Sequence, residues 1–181
     1  MKKLFKTLFL IAFLSGSIAS AKDGLTPLMS AAMNGDLKTV SKLLNKKTDL
    51  EAKTASGNTA LALAINADEY EAADLLIKAG ANVDIIVNDQ TKDTALMVAA
   101  TSNLNTTKLI LSKNKDVINK TNAKGETALS KALYFGNYNI AKVLLEAGAD
   151  KTIKNKDGQT VLDIAKKEKN SEAMKLLSSN K

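Results

Sequence analysis

The chain has 181 residues, 45% hydrophobic and 25% charged, with 26 basic against 19 acidic residues and neither histidine nor cysteine. That balance suits one globular or repeat domain; it excludes a disulfide framework, a thiol nucleophile, a Ser-His-Asp triad and most zinc or transition-metal sites. Every basic residue is Lys, so the planar bidentate grip of Arg on phosphate is missing as well.

The chain opens with "MKKLFKTLFLIAFLSGSIASA", Met1 to Ala21. Lys2, Lys3 and Lys6 form a charged start, Leu8–Leu14 an unbroken apolar run, and Ala19-Ser20-Ala21 a small-residue site of the kind a signal peptidase reads. The run is shorter than the roughly 20 apolar residues a bilayer span needs. The segment reads as a secretory signal cleaved after Ala21; a buried or amphipathic first helix is the alternative, and the clustered lysines argue against it. Beyond it stand 23 Lys and 19 acids, a net charge of +4. The lysines are scattered rather than gathered on one face, which speaks against a nucleic-acid binder, and no later amphipathic helix sets them beside aromatics, which speaks against membrane insertion.

From Lys22 onward the sequence repeats. Thr26, Thr59, Thr94, Thr127 and Thr160 are spaced by 33, 35, 33 and 33 residues. Two residues after each stands Leu (Leu28, Leu61, Leu96, Leu129, Leu162), five after it Ala (Ala31, Ala64, Ala99, Ala132, Ala165), and seventeen after it Leu again (Leu43, Leu76, Leu111, Leu144, Leu177). Columns filled in every copy mark a repeat architecture. Five units follow, at 24–56, 57–91, 92–124, 125–157 and 158–181, in a domain spanning 22–181.

Each unit reads the same way. The Thr suits a helix N-cap, its hydroxyl accepting from a free N–H of the first turn, and Pro27 suits the first helical position. Leu and Ala two and five residues on share one helix face. The glycines nine residues after Thr (Gly35, Gly136) predict a turn into a second helix, which carries the deep Leu and ends at Gly80 or Gly148 in a glycine cap. The third unit is irregular: Lys92, Asn103 and Lys115 replace its glycines, and two extra residues lie within "IIVNDQTKD". Asn103 can take the left-handed conformation the missing glycine would supply. The insertion makes either a longer structural finger or one that presents Ile85, Ile86 and Val87 to a partner. The last unit turns polar on its second helix, as a solenoid end must, while Ala165, Met174, Leu176 and Leu177 can pack inward.

The segments "GLTPLMSAAMNGDLKTVSKLL", "GNTALALAINADEYEAADLLIKAGANVD" and "GETALSKALYFGNYNIAKVLLEAGAD" resemble the ankyrin repeat, and the resemblance covers nearly all of 22–181. It implies an all-α repeat: an ankyrin-type solenoid of stacked helix-turn-helix units with short β-hairpin-like fingers at one edge and a concave groove. The chain departs from the family where the family places His three residues after Thr; here stand Met29, Ala62, Met97, Ser130 and Asp163. The resemblance further implies that partner contacts lie on the fingers and on the groove positions seven and eight residues after each Thr. The groove candidates are Met33, Asn34, Asn66, Thr101, Ser102, Tyr134 and Phe135; the finger candidates include Lys124 and Glu126. Tyr134 and Phe135 stand out, because large aromatics with few rotatable bonds make good anchors; the competing reading folds one ring back onto neighbouring helices. Tyr70 and Tyr138 share a column with Leu37 and read as packing residues at the start of the second helix.

These features predict a non-catalytic protein-binding module, exported to the periplasm or beyond, monomeric, with a protein partner and no cofactor or metal. An inhibitor or immunity-like protein for one exported enzyme is a special case of the same reading. The rival is a carboxylate-dependent hydrolase, but Asp68, Glu69 and Glu71 sit where a helix start favours acids.

Overall fold

A computed structural model describes residues 24–46 and 48–179; the signal read at Met1–Ala21 lies outside them. Among the described residues ten α-helices follow in pairs: α1 (Pro27–Met33) and α2 (Leu37–Leu44), α3 (Ala60–Asn66) and α4 (Tyr70–Lys78), α5 (Ala95–Ala99) and α6 (Leu104–Lys113), α7 (Ala128–Tyr134) and α8 (Tyr138–Glu146), α9 (Val161–Lys167) and α10 (Ser171–Ser179), with a short 3-10 turn at Lys115–Val117 after α6. First helices pack on first helices from α1 through α9, and second helices on second helices from α2 through α10. This is the stacked solenoid that the repeat predicts.

The Thr column starts every first helix. Each threonine is extended, and its Oγ1 accepts from the backbone N–H three residues on: Thr26 from Met29, Thr59 from Ala62, Thr94 from Met97, Thr127 from Ser130 and Thr160 from Asp163. The residues standing in place of the family's His close the box from the other side. Ser130 Oγ accepts from the Thr127 N–H at 2.9 Å and Asp163 Oδ2 from the Thr160 N–H at 2.9 Å, while the sulfurs of Met29 and Met97 sit 3.3 and 3.5 Å from the N–H groups of Thr26 and Thr94. Reciprocal capping therefore survives in four units without an imidazole.

The core is the stack of columns. Leu28, Leu61, Leu96 and Leu129 are buried, as are Leu76, Leu111, Leu144 and Leu177. Leu162 and Leu43, in the two end units, are only half-buried. The small Ala column (Ala31, Ala64, Ala99, Ala132, Ala165) is buried throughout and lets the first helices approach closely.

Two features of the third unit differ from expectation. Asn103 is not left-handed: with φ −124° and ψ 104° it is extended. Helix α5 stops at Ala99, so Asn103 becomes the N-cap of α6, its Oδ1 accepting from the Thr106 N–H at 2.8 Å. The turn thus closes on an extended cap where its counterparts use φ > 0 at Gly35, Asp68, Gly136 and Lys169. The insertion forms a true hairpin, β1 (Ile86–Asn88) paired antiparallel with β2 (Asp93–Thr94). It does not present an apolar tip: Val87 is buried and Ile85 half-buried, leaving Ile86 alone exposed.

The fingers stack as well. The Ala123 N–H donates to the Thr91 carbonyl at 2.8 Å, and the Lys156 N–H to the Lys124 carbonyl at 3.0 Å. Gly125 sits where a Cβ would lie 3.0 Å from the backbone of Asn155 and Lys156 and holds φ +74°, so the approach of these fingers requires glycine. Among the described residues no helix is long and apolar enough to cross a membrane.

Candidate functional site

The C-terminal ends of the first helices carry the positions that the resemblance assigns to a groove, and their local bonding separates them. Asn66, at the end of α3, is exposed, yet its side-chain amide donates to the Val87 carbonyl and so holds the inserted finger. Thr101 donates its hydroxyl to the Val98 carbonyl at 2.8 Å, and its own carbonyl accepts from Asn137 Nδ2 at 2.6 Å. Ser102 shares a 2.8 Å hydrogen bond with the Tyr70 hydroxyl. Asn66 thus ties its own unit's finger to the first helix, and Thr101 and Ser102 are ties between units.

Met33 is half-buried at the end of α1, and Asn34 is exposed as that helix's C-cap. Tyr134 and Phe135 are of another kind. Tyr134 is 73% exposed and Phe135 54%, and neither folds back into the core. Tyr134 ends α7 and Phe135 caps it, the Phe135 N–H donating to the Lys131 carbonyl at 3.0 Å. With the backbone fixed, the rings brace one another edge to face. By contrast Tyr70 is buried and Tyr138 half-buried, and Tyr138 donates its hydroxyl to Asn170 Oδ1 in the next unit at 3.0 Å.

Beside Tyr134 a cleft of about 70 Å³ opens between the fourth and fifth units, lined by Gly125, Lys131, Tyr134, Gln159, Ile164 and Glu168 among others. Finger bases and helix ends therefore border the same hollow. The column four residues after Thr, which holds Leu63, Val98 and Ile164 in the second, third and fifth units, holds Lys131 here. Its ammonium lies 3.1 Å from Glu126 and 3.4 Å from Asp93. Burial pushes the Asp93 carboxyl up, but hydrogen bonds from Asn122 and Thr91 together with the Lys131 charge outweigh it, holding Asp93 below the ordinary carboxylate value. Glu126, predicted as a fingertip contact, is thus engaged inside the molecule, with a further hydrogen bond from Asn122 Nδ2 at 2.8 Å. Lys124 is exposed, and its ammonium makes no bond among the described residues.

Sequence reasoning misses the buried Asn122. Its Oδ1 accepts from the N–H groups of Lys124 and Glu126 at 2.8 and 3.0 Å and so shapes the finger. Asn155 does the same for Asp157 and Gln159, and Thr54 does it for Asn58. All three precede the capping Thr by five residues, a column legible in the sequence as a local side-chain-to-backbone turn. Among the described residues no cluster of three or more potential metal-ligating side chains occurs.

Comparison with known proteins fits this geometry. The family model "Ankyrin repeats (3 copies)" matches residues 3–89 and 82–155. Among curated proteins the chain is 39% identical over 97 residues to an ankyrin repeat protein of Acanthamoeba polyphaga mimivirus, covering 51% of this chain and 59% of that one. It is 30% identical over 162 residues to the mitochondrial disaggregase of Bos taurus, covering 87% of this chain and 23% of that protein. It thus spans less than two thirds of either relative. Among solved structures, it is similar to a chain of the complex between a predatory endopeptidase from Bdellovibrio bacteriovorus and an immunity protein. There the TM-score is 0.79 and the identity 47%, over 97% of this chain and 91% of that one.

Proposed function

We infer that this chain, which belongs to the ankyrin-repeat family, is a non-catalytic binding protein that acts as an immunity protein for an exported endopeptidase. The observation that carries the reading is the 47% identity, across 97% of this chain, to a component of an endopeptidase–immunity protein complex. Of the two proteins in that complex, the immunity partner is the one that a helical repeat without a catalytic constellation corresponds to. Ankyrin repeats bind other proteins through a preorganised surface, which costs little ordering entropy on association. Here that surface is the concave face around Tyr134 and Phe135. Seated over a peptidase cleft, it would exclude substrate without reacting with it.

Two further features support the reading. The Met1–Ala21 segment has the charge, apolar run and small-residue site of a secretory signal, which would deliver the protein to the compartment where an exported enzyme works. The carboxyls with displaced pKa values, Asp36, Asp93, Asp150 and Asp163, are all lowered, whereas a general acid needs a raised one. The test is titration of the purified protein into the endopeptidase of the Bdellovibrio complex while peptide-bond cleavage is followed. Stoichiometric inhibition is expected. Full activity at saturating excess sinks the immunity reading, and a Met1–Ala21 fusion that fails to export a reporter sinks the location.

A further inference from the structure

Residues 24–124 hold twelve lysines and eleven acids, and residues 125–179, the last two units, hold nine lysines and seven acids. The small excess is spread over both parts, so local pairing, rather than the total, decides where positive charge stays open.

Three lysines near the fingers are paired within the fold. Lys92 lies 2.7 Å from Asp89, Lys120 lies 2.6 Å from Asp84, and Lys131 is held by Asp93 and Glu126. Lys124 and Lys156 are not. The backbone bond from the Lys156 N–H to the Lys124 carbonyl sets these two residues on adjacent stacked fingers. Both side chains are exposed, and among the described residues neither ammonium has a carboxylate within ion-pair distance. Asp157 follows Lys156 and is exposed, its backbone N–H donating to Asn155 Oδ1, but its carboxylate makes no ion pair among the described residues; the Lys154 charge acts on Asp163. Like charges held side by side repel, and that repulsion is relieved when an opposite charge settles between them. Gly125 follows Lys124 and Asn155 precedes Lys156, and both Gly125 and Asn155 line the cleft that also contains Tyr134, so each unpaired lysine is next in sequence to a residue of that hollow.

We propose that the partner meets the fourth unit and the fingers on either side of it with an acidic, apolar-centred face: its carboxylates settle on Lys124 and Lys156 while its apolar centre packs on Tyr134 and Phe135. The charges steer the encounter and set orientation; the rings hold the complex. This deepens the immunity reading by assigning the chemistry of the partner surface, and it also stands on the geometry alone.

The test uses the whole protein, the Lys124→Glu/Lys156→Glu variant and a control, Lys108→Glu/Lys113→Glu on α6, which changes net charge equally. Against the Bdellovibrio endopeptidase at low ionic strength, the finger variant should associate about tenfold more slowly. The control should match wild type, and the difference should fade in high salt. Equal association by the two variants overturns the proposal. If wild type does not bind that enzyme, the immunity reading falls, and a second arm decides the proposal. A glutamate-rich peptide with one tryptophan is then titrated into the isotope-labelled protein. Amide shifts centred on Lys124, Lys156 and Tyr134, and lost in the finger variant, uphold it. Shifts that are absent, or spread over every lysine-bearing finger, overturn it.

Discussion

The ring of Tyr134 meets the ring of Phe135 edge to face, with centroids 5.2 Å apart and planes 82° to one another. The pair stands in solvent, so its rings contribute little to folding, and the proposed role in binding can be measured apart from stability. Replacing both with Ala should weaken partner binding by about 2 kcal/mol or more, roughly thirtyfold, and leave the melting temperature near that of wild type. Calorimetric titration against the endopeptidase, paired with a thermal melt, measures both. A large loss of stability with unchanged affinity would assign the rings to the fold.

Gly125 and Gly158 occupy the same column with nearly the same φ, +74° and +75°, but a Cβ at Gly158 would meet nothing within 4 Å, whereas one at Gly125 would meet finger backbone at 3.0 Å. Gly158→Ala should cost about 1–2 kcal/mol, the cost of a left-handed alanine. Gly125→Ala should cost more, because the finger stack must also move. Urea unfolding of the two variants compares them, and equal losses would show that the fingers yield freely.

Asp93 ties three elements together. Its Oδ1 accepts from Asn122 Nδ2 at 2.6 Å, its Oδ2 accepts from the Thr91 hydroxyl at 2.9 Å and lies 3.4 Å from the Lys131 ammonium, and its side chain is 13% exposed. Asp93→Ala leaves the buried Asn122 amide short of an acceptor and should destabilise by about 1–3 kcal/mol. The measurement is the urea midpoint. Inhibition of the endopeptidase should persist at temperatures where the variant is folded.

The same carboxyl predicts an acid response. Its folded pKa is lowered, so its stabilisation is complete above the unfolded value of about 3.9 and is lost as pH falls through the folded value. Asp36, Asp150 and Asp163 are lowered too, each first by a side-chain hydrogen bond, from Thr39, Thr152 and Thr160 respectively. Stability should therefore hold from neutrality down to about pH 5 and fall below about pH 4. Asp93→Asn should flatten part of that decline. An unaltered pH profile in the variant would remove Asp93 from the account.

The Tyr70 hydroxyl bridges to Ser102 and the Tyr138 hydroxyl to Asn170, each across one unit boundary. Tyr70→Phe and Tyr138→Phe should each cost about 1 kcal/mol. A double-mutant cycle with Ser102→Ala should recover most of the Tyr70 term as coupling. Strictly additive losses would place that stabilisation elsewhere.

Read alone, the amino-acid sequence determined the unit length, the capping threonines, the helix pair in each unit and the columns that form the core. These follow from short-range rules: a hydroxyl three residues from an N–H, apolar residues on one helix face, glycine where φ is positive. The resemblance to the ankyrin repeat also implied groove positions for Tyr134 and Phe135. Only the tertiary structure decided which groove and finger residues remain free. Asn66, Thr101, Ser102 and Glu126 look as available as Tyr134 in sequence, but each is engaged by a hydrogen bond or ion pair within the fold. Partners such as Val87, Asn137 and Tyr70 lie 21 to 36 residues away; Val87 meets Asn66 because the finger folds back on its own unit, and the other two meet their partners because one unit stacks on the next. Asn103 shows the same limit at short range: its type permits a left-handed turn, but the early end of α5 makes it an extended cap. Periodicity reports which face is buried; it does not report which polar groups meet once the faces are stacked.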